Sequence, residues 1–390
     1  MNNQILHTPE GVRDIYGREL DVKLNVSSKL NDLLRKHGYE DIQTPTFEFF
    51  DIFSSNIGTT PSRELYKFFD KEGNTLVLRP DFTPSVVRAF TKYFYEESNP
   101  IRLCYLGNAF INNSDLQGRL KEMTQIGAEM FNDDSASADA EMISLMIKCM
   151  IEAGFKDFVI SIGNVEFFKG LCEQYAIDTD TETLLREMIS NKNYFRAKSF
   201  LDELKLDESA KEQLLSFSDL LTNINAIKDA VANTTNSRSK NALIRLCEIY
   251  DILKEDELAD YISFDLGMLS KYHYYTGVIF RAYTFGSGDA VMKGGRYDSL
   301  VKEFGKAAPA LGFVALIDDI VLALIKQGVI TDVCTKGKLL LCNRQNRSKA
   351  RIMADRFRLS DIPAVILETE DDASKYIEYA KRHNLEIVEV

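Results

Sequence analysis

Residues 99–131, NPIRLCYLGNAFINNSDLQGRLKEMTQIGAEMF, followed by residues 136–155, ASADAEMISLMIKCMIEAGF, decide the fold class. The apolar run in NPIRLCYLGNAFI reads as a short strand, and the polar NNSDLQGR after it reads as a hairpin loop. Leu120 to Phe131 reads as the returning strand, with imperfect alternation that leaves its register open. The stretch that follows has helical apolar spacing. A strand, a loop and a second strand, covered by a helix, point to an α+β architecture.

Working outward, Leu20, Leu24, Leu30, Leu33 and Leu34 fall near helical spacing, and Gly38 is placed to end a helix running from Arg18 to His37. In YEDIQTPTFEFF, β-rich character is broken by Pro45, which fits an edge or interface strand and argues against an interior one. TLVLRPDFTP reads as another short strand. From Val165 to about Tyr261 the chain turns to Leu, Glu, Lys and Ala in helical runs, as in ETLLREMI and NALIRLCEIYDIL, which predicts an inserted helical subdomain. Strand character returns in FDLGMLSKYHYYTGVIFRAYTF, and the glycine-marked AVMKGGRYDSL and the helical IDDIVLALIKQG follow. After Thr335, KLLLCNR, an amphipathic helix, IPAVIL and LEIVEV predict a small α/β appendage. The expected organisation is a core of residues 1–164 and 262–325, a helical insertion at 165–261, and an appendage at 335–390.

A chain of 390 residues with 45% hydrophobic content can bury a full core. Its net charge of −12 disfavours bulk nucleic-acid binding, and residues 331–390 hold 11 basic and 10 acidic side chains, which offers RNA no electropositive face. Cysteines at 104, 149, 172, 247, 334 and 342 form no CxxC pair and no zinc spacing with the four histidines, so reduced thiols in a cytoplasmic protein are expected. The N-terminal MNNQILHTPEGVRD has no basic segment ahead of an apolar run, and no stretch approaches the ~18 apolar residues of a membrane span. No metal or cofactor is called for.

TPEGVRDIYG, HGYEDIQTPTFEFFDIFSSNIG, LVLRPDFTPSVVR, YLGNAFINNSDLQGRLKEMTQIGAEMF, YHYYTGVIF and KGGRYDSL, in that order over residues 1–325, resemble the histidyl-tRNA synthetases. The resemblance implies a class II synthetase core, an antiparallel sheet flanked by helices, with self-dimerisation through the region around Pro45. It also exposes departures from the family pattern. Where that family carries arginines for ATP and for the α-phosphate, this chain has Ile111, Asp319 and Ser270. Adenylation develops negative charge on the α-phosphate, and losing one preorganised donor aimed at such charge typically costs ~10²–10³ in rate. Aspartate facing a triphosphate adds repulsion. No catalytic residue is therefore assigned.

The amino-acid side of the resembled pocket is better kept. By the resemblance, Asp81 and Thr83 would grip an α-ammonium, Gln125 and Glu129 would share one strand face, and Tyr274 and Tyr275 would supply an aromatic wall. Glu129 would accept an imidazole N–H at the floor, and Arg119 would be a carboxylate partner. Each also has a plainer reading. Asp81 after Pro80 fits a turn or helix cap, paired tyrosines are often packing, and Gly294 and Gly295 with Arg296 read first as a turn and only weakly as a phosphate site. His273 stands where the family shows an acid and receives no role. A pocket that holds histidine without activating it is the pattern of the regulatory subunits of short-form ATP phosphoribosyltransferase. That resemblance implies a catalytic-subunit partner, L-histidine as effector, activation, and feedback inhibition in histidine biosynthesis. The alternatives are an atypical histidyl-tRNA synthetase, or a synthetase paralogue regulating another partner.

Overall fold

Helix α1 (Arg18–Lys36) carries Glu19 and Asp21 in its first turn and Arg35 and Lys36 in its last, each sign set against the helix dipole that favours it. The computed structural model to which it belongs describes residues 6–54, 60–113, 120–204, 206–216, 223–269, 274–329 and 336–390. The buried stripe of α1 is Val22, Val26, Leu30 and Leu34, and Leu24, expected on it, is 59% exposed. Two valines, not the first two leucines, hold the inner face. Gly38 follows the helix at φ 84°, where a side chain would be strained.

The chain continues through strands β1 (Glu40–Asp41), β2 (Phe47–Phe49), β3 (Lys67–Phe69) and β4 (Thr75–Leu78) into helix α2 (Thr83–Tyr93). The hairpin strands are β5 (Ile101–Phe110) and β6 (Glu122–Phe131), paired antiparallel from Ile101 opposite Phe131 to Phe110 opposite Glu122. Helix α3 (Ala136–Ala153) is capped at one end by the Ser135 side chain and ends on left-handed Gly154. Strand β7 (Phe158–Asn164) leads into the helical stretch, which comprises α4 (Val165–Gln174), α5 (Thr179–Ser190), α6 (Tyr194–Glu203), α7 (Glu208–Ser216), α8 (Ile224–Asn233) and α9 (Ser237–Glu255). Strands β8 (Ile262–Phe264), β9 (Val278–Thr284) and β10 (Met292–Arg296), helix α10 (Asp298–Glu303), strand β11 (Ala310–Leu316) and helix α11 (Ile317–Lys326) complete this part.

Among the described residues these strands form an eight-stranded sheet in the order β1-β5-β6-β11-β10-β9-β7-β8. Only the outermost pairs, β1 with β5 and β7 with β8, are parallel. The architecture is the α+β, mainly antiparallel sheet expected. Strand β2, just after Pro45, is an edge strand of a separate sheet of order β2-β4-β3, as a proline at its entry predicts. The glycines of KGGR, expected in a turn, lie inside β10 instead, because neighbouring side chains fill the space above them.

The chain divides into two compact units, Met1–Arg13 with Val26–Val329, and Asp14–Asn25 with Ile330–Val390. In the second, β12 (Gly337–Cys342) pairs in parallel with both β13 (Ala364–Glu368) and β14 (Leu385–Glu389). Leu340 and Cys342 pack against Ala350 and Ala354 of α12 (Arg347–Leu359), while Leu339 and Leu341 pack against Ala380 of α13 (Ile377–Arg382). A central parallel strand covered on both faces needs an unbroken apolar run, and LLLC supplies it.

Candidate functional site

Antiparallel pairing places Leu103, Glu129, Gly312, Gly295 and Ile279 in one row across five strands. Residues paired in this way share a face, and each strand repeats that face every second position. Gln125 and Gly127 on β6, and Tyr105 and Gly107 on β5, therefore lie on the same face as Glu129. The two glycines of the row leave space that neighbouring side chains take. A Cβ at Gly312 would stand 1.6 Å from Glu129 Oε2, and one at Gly295 would stand 2.7 Å from the Tyr275 ring. The absent side chains make room for a carboxylate and an aromatic ring over bare backbone.

Glu129 is 1% exposed. Its Oε1 accepts from the Thr83 hydroxyl at 2.8 Å and its Oε2 accepts from the Tyr297 hydroxyl at 2.6 Å. Burial pushes its pKa up from the usual 4.5 to about 8; the two hydroxyls oppose that rise and the Asp81 charge adds to it. Each carboxylate oxygen has capacity beyond one hydrogen bond, so the group can still receive an N–H from a ligand.

Asp81 Oδ1 accepts the backbone N–H of Thr83 at 2.7 Å, which closes the entry to α2. The turn reading of Asp81 is thus realised beside the Glu129 cluster, while the N-cap position of α2 is Phe82, with no side-chain cap. Tyr274 and Tyr275 stack obliquely with centroids 4.4 Å apart, and Tyr274 meets the edge of Tyr297 at 6.3 Å. Both half-buried rings pack on the core formed by Phe82, Tyr105 and Tyr297. Gln125 is buried four residues along the strand from Glu129. Five expected site residues, Asp81, Thr83, Glu129, Tyr274 and Tyr275, are gathered here, with Gln125 on the same face. Arg119 and Ser270 lie outside the described residues, as does the NNSDLQGR loop after Asn113.

Three site residues escape a reading of the sequence. Tyr297 lies just past β10, two residues on from Gly295, with its N–H on the Ala310 carbonyl at 2.7 Å, and a turn reading of GGR hides that placement. Tyr105 stacks on Phe82 at 4.3 Å, with burial raising its pKa well above that of a free phenol. Arg79 lies over the other side of this stack, its guanidinium 3.9 Å from the Phe82 ring. It donates to the carbonyls of Thr44, Pro45 and Asn108 at 2.9, 3.1 and 2.9 Å. The arginine of RPDFTP is thus a structural clamp on the Pro45 segment. Arg296, weighed as a phosphate ligand, is engaged by the Asp139 carboxylate through both Nε and Nη2. Ile111 follows β5, with its N–H on the Lys121 carbonyl. Asp319 sits in the first turn of α11, next to Asp318, whose carboxylate accepts the N–H of Thr124 at 2.7 Å.

A family model described as histidyl-tRNA synthetase matches residues 11–320. An ATP phosphoribosyltransferase regulatory subunit from Clostridium kluyveri is 34% identical over the whole of both chains. One from Clostridium botulinum (strain Langeland) is also 34% identical, over 100% of this chain and 92% of its own. This chain belongs to the ATP phosphoribosyltransferase regulatory subunit family. Its place there is a regulatory role in histidine biosynthesis, on a histidyl-tRNA synthetase-like fold. A solved ATP phosphoribosyltransferase regulatory subunit/histidyl-tRNA synthetase from Bacillus halodurans C superimposes with TM-score 0.87 at 28% identity, over 99% of this chain and 98% of that one. Histidyl-tRNA synthetase from Nostoc sp. PCC 7120, at 16% identity, shares the fold with TM-score 0.84, over 99% of this chain and 92% of that one. Among the described residues no helix is long and apolar enough to cross a membrane.

Proposed function

We propose that this regulatory subunit senses L-histidine in the Glu129 pocket, assembles with the short-form catalytic subunit of ATP phosphoribosyltransferase, raises its activity, and transmits feedback inhibition when histidine fills the pocket. The observation that carries this reading is the buried Glu129 carboxylate, held between the Thr83 and Tyr297 hydroxyls and walled by Tyr274 and Tyr275. An imidazole N–H meets an acceptor at that floor, and its ring meets aromatic faces. The α-ammonium falls to Asp81 and Thr83, which stand together at the start of α2. Arg119 is the proposed partner of the carboxylate.

The same pocket carries no activation chemistry in this reading. Ile111, Ser270 and Asp319 stand where the synthetases place cations against ATP, and one cation lost from such a site typically costs ~10²–10³ in rate. Self-association is assigned to the region around Pro45. Phe47 and Phe49 of edge strand β2 are more than half exposed there, which suits burial against a second copy.

The test is the phosphoribosyltransferase rate of the short catalytic subunit alone, with this protein, and with this protein plus L-histidine. A rise on mixing that histidine suppresses is expected. An unchanged rate, together with histidine-dependent pyrophosphate exchange by this protein, would replace the regulatory reading with the synthetase one. Coupling of ~1–3 kcal/mol suffices for useful control, and linkage requires the catalytic subunit to alter histidine affinity by the same factor.

A further inference from the structure

The helical stretch from α4 to α9 reaches both walls of the Glu129 pocket through charged side chains that the site itself does not use. On one wall, Arg296 immediately precedes Tyr297, the residue that donates to Glu129. Its guanidinium gives Nη2 to Asp139 Oδ1 at 2.7 Å and Nη1 to the Asp133 carbonyl at 3.0 Å. Asp139, on α3 and 1% exposed, has its other oxygen bound by Arg245 Nε of α9 at 2.7 Å. Arg245 also donates to the Asp134 carbonyl. One buried carboxylate thus joins the end of β10 to the middle of α9.

On the other wall, Lys169 of α4 donates to the Tyr275 carbonyl at 3.4 Å, and the Val165 N–H meets the Gly277 carbonyl at 3.0 Å. Helices α4 and α9 are locked to one another. A Cβ at Gly170 would stand 2.3 Å from Ser239 Oγ, and that hydroxyl donates to the Phe167 carbonyl at 2.9 Å. Arg238 of α9 and Lys169 of α4 share Glu166 as well. A shift of this helix pair moves the supports of Tyr275 and Tyr297 together.

We infer that Asp139 and Arg245 are positioning residues for the effector pocket, through which the helical stretch sets the pocket's affinity for its ligand. The inference rests on the pocket's being the histidine site. Placed by two cations, Asp139 fixes Arg296 and with it the adjoining Tyr297. Linkage then runs both ways: a ligand that clamps Tyr297 and Tyr275 stabilises α4 and α9, and a partner that moves α9 changes ligand affinity.

The experiment uses the full-length protein, with L-histidine as the probe, titrated calorimetrically with and without the catalytic subunit, and hydrogen exchange read along α9. Wild-type protein is expected to bind histidine and to slow exchange in α9 on binding. R245M is expected to weaken binding by ~10-fold, within the usual range of coupling factors, and to abolish the α9 response. R245K, which keeps the charge, is expected to recover most of the affinity. L30A, which empties a buried site in α1 outside the helical stretch, is the control for loss of stability alone and is expected to keep wild-type affinity. Wild-type affinity in R245M, an equal loss in L30A, or no α9 response in wild-type protein overturns the coupling. Absence of histidine binding to wild-type protein, alone and with its partner, overturns the pocket assignment itself.

Discussion

The Glu129 carboxylate occupies the space that a side chain at Gly312 would fill, with 1.6 Å between Oε2 and the Cβ of an alanine there. The two residues are directly paired across β6 and β11, so neither strand can slide to relieve the overlap. G312A is expected to drive the carboxylate out of the reach of Tyr297 and Thr83. Overpacking of this kind costs ~1–3 kcal/mol. Chemical denaturation should register that loss, and a histidine titration should register a larger relative loss of affinity. An unchanged affinity would mean that the ligand is not held at Glu129.

Glu129 also gives the protein a signed pH dependence. Its folded pKa of about 8 lies above the usual 4.5, so between those values the folded state holds a proton that the unfolded state has released. Stability from this group is present below pH 4.5, falls as pH rises through the window, and stays low above pH 8. E129Q removes the titration. The stability of E129Q relative to wild type is expected to rise by roughly 1.4 kcal/mol per pH unit within the window. Urea melts at pH 5, 6.5 and 8 measure it, and a difference independent of pH would refute the assignment.

The sheet and its hairpin were legible in the sequence because strand and helix signals there agree with burial. The α1 stripe was only half legible. Leu20 and Leu24 suggested one face, yet Val22 and Val26 hold the core, since two residues along a helix turn nearly to the opposite side. Glu129 and Thr83 could be named from motif placement, but the hydroxyl on the other carboxylate oxygen belongs to Tyr297, far away in sequence. That contact depends on cross-strand register, and a glycine pair read as a turn hides register. Arg79 and Asp139 were invisible for a similar reason. Their partners are backbone carbonyls and distant guanidinium groups, which no local pattern announces.

Removal of the Tyr297 hydroxyl isolates one of the two donors to Glu129. Y297F keeps the ring that packs on Tyr274 and loses only the 2.6 Å hydrogen bond. That bond holds the Glu129 pKa down against burial, so its loss is expected to move the titration further upward. The unsatisfied acceptor should cost ~1–3 kcal/mol where Glu129 is ionised, and less where it is protonated. Melts of Y297F against wild type at pH 6 and pH 9 read the difference. Equal costs at both values would mean that the hydroxyl does not act on the carboxylate.

Two substitutions at Asp81 separate its structural task from the one proposed for it in binding. Its Oδ1 accepts the Thr83 N–H at 2.7 Å, a task that an asparagine oxygen also performs and that alanine cannot. D81A is therefore expected to lose ~1.5–3 kcal/mol of stability, the usual net worth of a hydrogen bond to a charged group, while D81N keeps much of it. The charge is a different matter. A ligand ammonium bound to a carboxylate makes a charge-assisted hydrogen bond worth ~1.5–3 kcal/mol, so D81N should weaken histidine by roughly ten-fold or more despite its intact fold. Asp81 also pushes the Glu129 pKa upward, and D81N should let it fall. Histidine affinity, unfolding free energy and the Glu129 titration, measured on both variants, give three readouts. If D81N binds histidine as wild type does, Asp81 serves only the turn before α2, and the ammonium must be held by another group.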